Sequence, residues 1–139
     1  MKIIVDVNIV LSALIRDSST RKLILELRQE LYFPEPSLHK IRKYRDYVLS
    51  KAELNEKEYA ALLATLFRYI KIVPTEEIKE KWGKAGEIME HIDKEDVVFI
   101  AAALSLDDSI IWSDDKDFEK QTVIKALKTR EIIKLFSLF

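Results

Sequence analysis

Short runs of β-branched and apolar residues alternate along the chain with stretches whose apolar residues recur every three or four positions. Residues 2–5, Lys-Ile-Ile-Val, form the first run and end at Asp6. An apolar run without alternation fits a strand buried on both faces. Asn8 then starts a helix bearing Ile9, Leu11, Ala13 and Leu14. Thr20 caps the next, along which Leu23, Ile24, Leu27 and Leu31 recur at helical spacing. Leu31-Tyr32-Phe33 is a second strand, stopped by Pro34 and Pro36. From Ser37 to Lys51 one helical face carries Leu38, Ile41, Tyr44 or Arg45, and Val48. Asn55 and Glu58 form a capping box for a helix reaching Tyr69. Ile70 to Val73 is a strand ending at Pro74, and Thr75 opens a helix through Trp82 toward Met89. Asp93 is an N-cap with Asp96 at the third helical position, followed by the stripe Val97, Ile100, Ala101, Leu104. Ile110-Ile111-Trp112 is a strand, Thr122-Val123-Ile124 a last short one, and Thr129 to Phe139 a terminal helix.

Strands alternating with helices predict a parallel sheet covered by helices on both faces. In such sheets the functional crevice lies beyond the carboxyl ends of the strands, where strand order reverses. Asp6 follows the first strand directly, and Asp114, Asp115 and Asp117 follow the Ile110–Trp112 strand. Asp93 and Asp96 begin the helix that feeds that strand. They reach the same edge only if the chain passes straight from the preceding helix and starts the new one back at the carboxyl side.

Composition narrows the chemistry. The chain has 139 residues, 48% of them hydrophobic, and no cysteine. It is long enough to bury a core without disulfides, and thiolate metal sites and cysteine nucleophiles are excluded. No internal repeat, linker, signal peptide or bilayer-length apolar run is apparent, so the sequence reads as one soluble, cytoplasmic domain over residues 1–139. Only four amide residues and many Lys and Glu fit a thermophile composition. The net charge of −1 excludes a uniformly basic protein, but it hides an asymmetry: residues 1–74 carry +4 and residues 75–139 carry −5. Resolved further, residues 40–51 carry +4 and residues 93–119 carry −7.

Three carboxylates from separate segments, Asp6, Asp96 and Asp115, can share one site. Like charges are costly to gather unless a cation neutralises them, and hard oxygen ligands suit Mg²⁺ or Mn²⁺. Such a site supports metal-dependent phosphodiester hydrolysis. Each aspartate also has an ordinary reading: Asp6 and Asp93 as helix caps, and Asp114 to Asp117 as a solvated turn. Asp6 fits that reading least, because an apolar strand ending in Asp-x-Asn has no turn residues after it.

These segments resemble a known family. Asp6-Val7-Asn8-Ile9-Val10-Leu11-Ser12-Ala13-Leu14 is similar to the opening motif of PIN domains, the fold of VapC-type toxin ribonucleases. Asp96-Val97-Val98-Phe99-Ile100-Ala101-Ala102-Ala103-Leu104 resembles the family's second aspartate helix, and Ser113-Asp114-Asp115-Lys116-Asp117-Phe118 resembles its Thr/Ser-x-Asp turn. The resemblance implies a three-layer α/β/α sandwich with a parallel, four- to five-stranded sheet. It implies an acidic pocket for Mg²⁺ or Mn²⁺ and endonuclease action on single-stranded RNA. Often such a protein is a toxin held by an antitoxin protein, and often a homodimer or higher oligomer. Carried over by position, Asp6, Asp96 and Asp115 are the catalytic metal ligands. Asn8 and Ser113 orient Asp6, and Asp93 and Asp117 are peripheral acids around a hydrated metal. Ser12 matches a small residue of the first helix.

One position departs from the pattern. The family usually carries a Glu early in the helix after the second strand; here that position falls on Lys40, with His39 beside it. Either Lys40 points into the pocket and competes with metal, or it extends outward and leaves His39 or Glu35 nearer the metal. In the first case the chain reads as a catalytically degenerate binding or regulatory module of the same fold. The basic stripe of Lys40, Arg42, Lys43 and Arg45, with Lys51, is either a solvated face or a holder of RNA phosphates, with Tyr44 or Tyr47 for stacking. A receiver or phosphatase reading ranks lower, since Asp6-Val7-Asn8 lacks a phosphatase's second carboxylate. Leu135, Phe136, Leu138 and Phe139 either complete the core or form an oligomer contact.

Overall fold

The computed structural model describes residues 1–15, 19–89 and 93–136. Strands β1 (Lys2–Val5), β2 (Glu30–Pro34), β3 (Ile70–Val73), β4 (Ser109–Trp112) and β5 (Ala126–Leu127) form one sheet in the order β3-β2-β1-β4-β5. Every pairing is parallel. Helices α1 (Val7–Ile15), α2 (Ser19–Glu26), α3 (Leu38–Lys43), α4 (Arg45–Ala52) and α5 (Glu56–Tyr69) form one packed group. Helices α6 (Thr75–Lys79), α7 (Trp82–Met89) and α8 (Val97–Ser105) form another, and α9 (Thr129–Leu135) packs beside β5. The architecture is the three-layer α/β/α sandwich expected from the sequence, with five strands. Among the described residues no helix is long and apolar enough to cross a membrane.

The centre of the sheet is the most apolar part of the chain. Ile3, Ile4 and Val5 of β1 are fully buried, as a strand covered on both faces requires. Helix α8 is buried from Val97 to Ala103. A helix apolar all round belongs inside a protein, and Ala101 to Ala103 present no bulk to hold it off the sheet. Phe99 of α8 meets Phe33 and Phe118 edge to face, at centroid distances of 6.1 and 6.2 Å.

The chain runs β1, β2, β3 to one side and then returns past β1 to place β4 and β5 on the other. Strand order therefore reverses between β1 and β4. Their register pairs Val5 with Trp112, and the ladder extends one step further through Asp6 N–H donating to Trp112 O at 3.0 Å. The residues just beyond both strands are thus brought side by side.

Several local expectations are corrected. Helix α1 starts at Val7, one residue before Asn8. Thr20 lies buried inside α2, so its hydroxyl is not the N-cap. The expected helix from Ser37 to Lys51 is two, divided at Tyr44 (φ −95°, ψ 10°); no proline or glycine marks that break in the sequence. The helix from Thr75 to Met89 is also two, α6 and α7. Residues 122–124 form no strand. The Gln121 amide donates to Phe118 O and Ile124 O and accepts from Ile124 N–H, which winds these residues into a turn and delays β5 to Ala126. The Asn55–Glu58 capping box is present as expected. Phe136 packs on the core and Leu135 is exposed, while Leu138 and Phe139 lie outside the described residues.

Candidate metal centre

Asp6 leaves the end of β1 and is 4% exposed. Ser113, the residue after β4, donates its hydroxyl to Asp6 Oδ2 at 2.7 Å. The same Ser113 Oγ accepts from Asp115 N–H at 3.0 Å, and Asp115 Oδ1 accepts from Asp117 N–H at 2.9 Å. One relay of hydrogen bonds therefore fixes the turn after β4 against the end of β1. Asp114 faces away from it, its two oxygens accepting from Thr129 N–H and Thr129 Oγ1, both at 2.8 Å.

Asp96 arrives from the other direction. A short 3₁₀ turn, Lys94–Asp96, precedes α8, and Asp93 Oδ1 accepts from Glu95 N–H at 2.9 Å. Asp93 thus caps the 3₁₀ turn rather than α8, and Asp96 stands at the start of α8 without making a capping bond. Asp93 and Asp96 line one cavity with Asp6 and Asp115, so the geometric condition left open by the sequence is met. A cavity of about 190 Å³ is lined by Asp6, Asp93, Asp96 and Asp115, with Asn8, Lys40 and Tyr44 on its walls and Phe99 behind.

The electrostatics follow from this crowding. Burial, above all, raises the Asp6 pKa, and Asp115 adds to the rise against the Ser113 hydrogen bond and Lys40. Asp96 is raised to about 7, first by burial and then by the charges of Asp93, Asp6 and Asp115. Its Oδ2 is the one buried side-chain polar atom among the described residues without a hydrogen-bond partner. One oxygen each of Asp93, Asp96 and Asp117 lie within 4.8 Å of one another. An orphaned carboxylate oxygen amid further carboxylates fits a hard divalent cation in charge and donor type. Asp96 belongs both to this tight trio and to the set of Asp6, Asp96 and Asp115. The sequence places Asp93 and Asp117 at the periphery of the site; the structure draws one oxygen of each into the same close group as Asp96.

The departure at Lys40 resolves toward the pocket. Its side chain is 21% exposed, lines the acidic cavity and lies 3.6 Å from Glu95 Oε2. The alternative, with His39 or Glu35 nearer the metal, is not what the fold does. His39 Nδ1 sits 2.7 Å from Pro36 O, outside the acidic cavity, and Glu35 Oε1 accepts from Thr75 N–H at 2.9 Å. Asn8 is exposed at the cavity mouth and, among the described residues, donates no hydrogen bond to Asp6. The bonds Asp6 accepts come from Ser113 and the Val7 backbone. In the basic stripe Arg42 and Lys43 are exposed, whereas Arg45 is held by Glu56 at 2.7 Å.

Comparison with known proteins bears on the family and the fold. The model of the PIN domain matches residues 4–136. No curated protein matches the chain. Among solved structures the chain is similar to one from the crystal structure of VapBC2 from Rickettsia felis bound to a DNA fragment from their promoter. The TM-score is 0.67, over 92% of this chain and 98% of that one, at 15% sequence identity. At that identity the likeness is one of fold. Since the family match runs through nearly the whole sequence, from β1 into α9, the chain belongs to the PIN-domain family.

Proposed function

We propose that this chain is a metal-dependent endoribonuclease acting on single-stranded RNA, restrained by an antitoxin protein. The observation that carries the reading is Asp96 Oδ2, buried without a hydrogen-bond partner at the point where strand order reverses and ringed by other carboxylates. Mg²⁺ or Mn²⁺ would be held by Asp6, Asp96 and Asp115, with Asp93 and Asp117 at the periphery. When bound, such a cation supplies a nucleophile at neutral pH and offsets the charge that builds on a phosphodiester. Ser113 holds Asp6 in a fixed orientation, so the carboxylate need not be ordered when substrate arrives. Lys40 provides the positive charge that draws a phosphodiester toward an otherwise repelling cavity. Phe99 adds an apolar wall to the same cavity. Without a cation Asp96 exchanges its proton near neutral pH, so proton and metal compete for the same oxygens. The antitoxin partner rests on the likeness to VapBC2.

Lys40 also favours a second reading, a degenerate module of the same fold, because an ammonium facing the carboxylates weakens metal binding. Mn²⁺ is expected to raise the melting temperature of the protein, and Asp6→Asn to remove that shift. A labelled single-stranded RNA should be cut only with metal present. No thermal shift at millimolar Mn²⁺ would sink both the metal site and the nuclease. A shift without cleavage, with cleavage gained in Lys40→Glu, would establish the degenerate module.

A further inference from the structure

Three cavities are linked to one another through shared lining residues. The acidic cavity shares Asn8 with a groove of about 370 Å³ between α1 and α4, walled by Ser12, Tyr47 and Lys51. On its other flank it shares Lys40 and Glu95 with a cavity of about 240 Å³ walled by Trp82 and His39. Four aromatic side chains are exposed among the described residues: Tyr44, Tyr47, Tyr69 and Trp82. Three of these line the three cavities, one in each: Tyr47 in the groove, Tyr44 beside the carboxylates, and Trp82 on the far flank.

Tyr47 is 56% exposed and Trp82 45%, a large apolar surface left open to water. Cations stand close to the rings. Lys51 shares the Tyr47 groove, Lys43 lies 5.7 Å from the Tyr44 ring centroid, and Lys40 borders the Trp82 cavity. Rings interleaved with cations across three linked cavities match an unpaired nucleic-acid strand, whose bases offer π-faces and whose phosphates seek positive charge. A duplex keeps its bases stacked on one another and offers no face to such rings.

We propose that the three cavities are one track for a single RNA strand, with bases stacked on Tyr47, Tyr44 and Trp82 and the scissile phosphate at the carboxylates between them. The track rests on the nuclease reading above and adds the residues that position the strand on each side of the cut. The break between α3 and α4 serves it directly, since it sets Tyr44 on the cavity wall.

Two tryptophans make the track observable. Trp82 is exposed, while Trp112 is fully buried with its Nε1–H donating to Thr129 Oγ1 at 3.0 Å. In stopped-flow mixing with an unlabelled oligouridylate and Mg²⁺, tryptophan emission is expected to fall before turnover. The fall should be absent in Trp82→Phe, which keeps only Trp112. By fluorescence anisotropy with a labelled strand, Tyr47→Ala and Trp82→Ala should each weaken binding about 5- to 100-fold. Tyr69→Ala, off the track, should bind as wild type, and the Mn²⁺ thermal shift should be the same in all three. Duplex RNA of equal length should bind far more weakly. Equal affinity for duplex, or Tyr47→Ala and Trp82→Ala proteins that bind like Tyr69→Ala, would overturn the track. Binding with the expected losses but no cleavage would uphold the track and overturn the nuclease reading.

Discussion

Glu35 follows β2 and reaches across to the residue two beyond β3; Asp6 follows β1 and meets the residue after β4. Both are carboxylates just past a strand's carboxyl end, and both accept a hydrogen bond from the neighbouring strand's exit. Their acidities move in opposite directions. Thr75 N–H holds the Glu35 pKa below its ordinary value, with almost no burial to oppose it. Burial lifts Asp6 above its own, and Asp115 reinforces the rise. The same cross-strand contact is therefore a structural clasp where water is at hand, and one edge of a crowded acidic cluster where burial and like charges surround it. Position at a strand end places both carboxylates; enclosure among further carboxylates decides which way the acidity moves.

The comparison breaks most sharply under substitution. Asp96→Asn should lower RNA cleavage by about 10³-fold or more, since it removes the carboxylate shared by both groupings. Above pH 7, where metal-free Asp96 is ionised, it should also raise the melting temperature by about 4 °C by relieving charge repulsion. Glu35→Gln should leave metal binding and cleavage unchanged and lower the melting temperature slightly. A Glu35→Gln protein with a lost Mn²⁺ shift would show that the two carboxylates are not separate in role.

An intermediate effect lies in pH. An unfolded Asp titrates near 3.8, whereas folded Asp96 titrates at about 7. Folding takes up this proton in between, so the carboxyl favours the fold below pH 3.8 and loses its contribution as pH rises through 7. Metal-free melting temperature should accordingly fall between about pH 5 and pH 8, while the Mn²⁺-induced rise should grow over the same range. Glu35 has the reverse sign, its contribution being lost as acid protonates it. A Mn²⁺ shift that is flat from pH 5 to 8 would separate metal binding from Asp96.

The smallest expected effect contrasts two neighbours in one turn. Ser113→Ala should weaken Mn²⁺ affinity about 10- to 100-fold, because it frees both Asp6 and the Asp115 backbone. Asp114→Ala should cost about 1 kcal/mol of stability through its Thr129 contacts and leave Mn²⁺ affinity alone, as measured by urea unfolding and metal titration.

The elements most legible in the sequence are those whose composition alone forces burial. The run of β1, the apolar helix α8 and the Asn55 capping box are local statements that folding has no reason to override. The break at Tyr44, the late start of β5 and the clasp of Glu35 on Thr75 depend on partners arriving from elsewhere, and no local propensity announces them. The candidate site divides the same way. Asp6 and Asp115 follow strands and could be placed from that alone, whereas Asp96, at a helix start, joins them only through the family resemblance. The approach of Asp117 to Asp93 and Asp96, and the direction of Lys40, are set by turn winding and by Glu95, both invisible to periodicity.

The Ser113–Asp6 hydrogen bond joins residues 107 positions apart. β1 is made first, yet it lies in the middle of the sheet and must wait for β4 to complete its pairing. A parallel sheet closed by so distant a segment has a high contact order, and its first-made strand has no partner on the β4 side until late in synthesis. The carboxylate cluster therefore does not exist on any nascent chain shorter than about the turn after β4. The order of the strands alone sets when the carboxylates can meet.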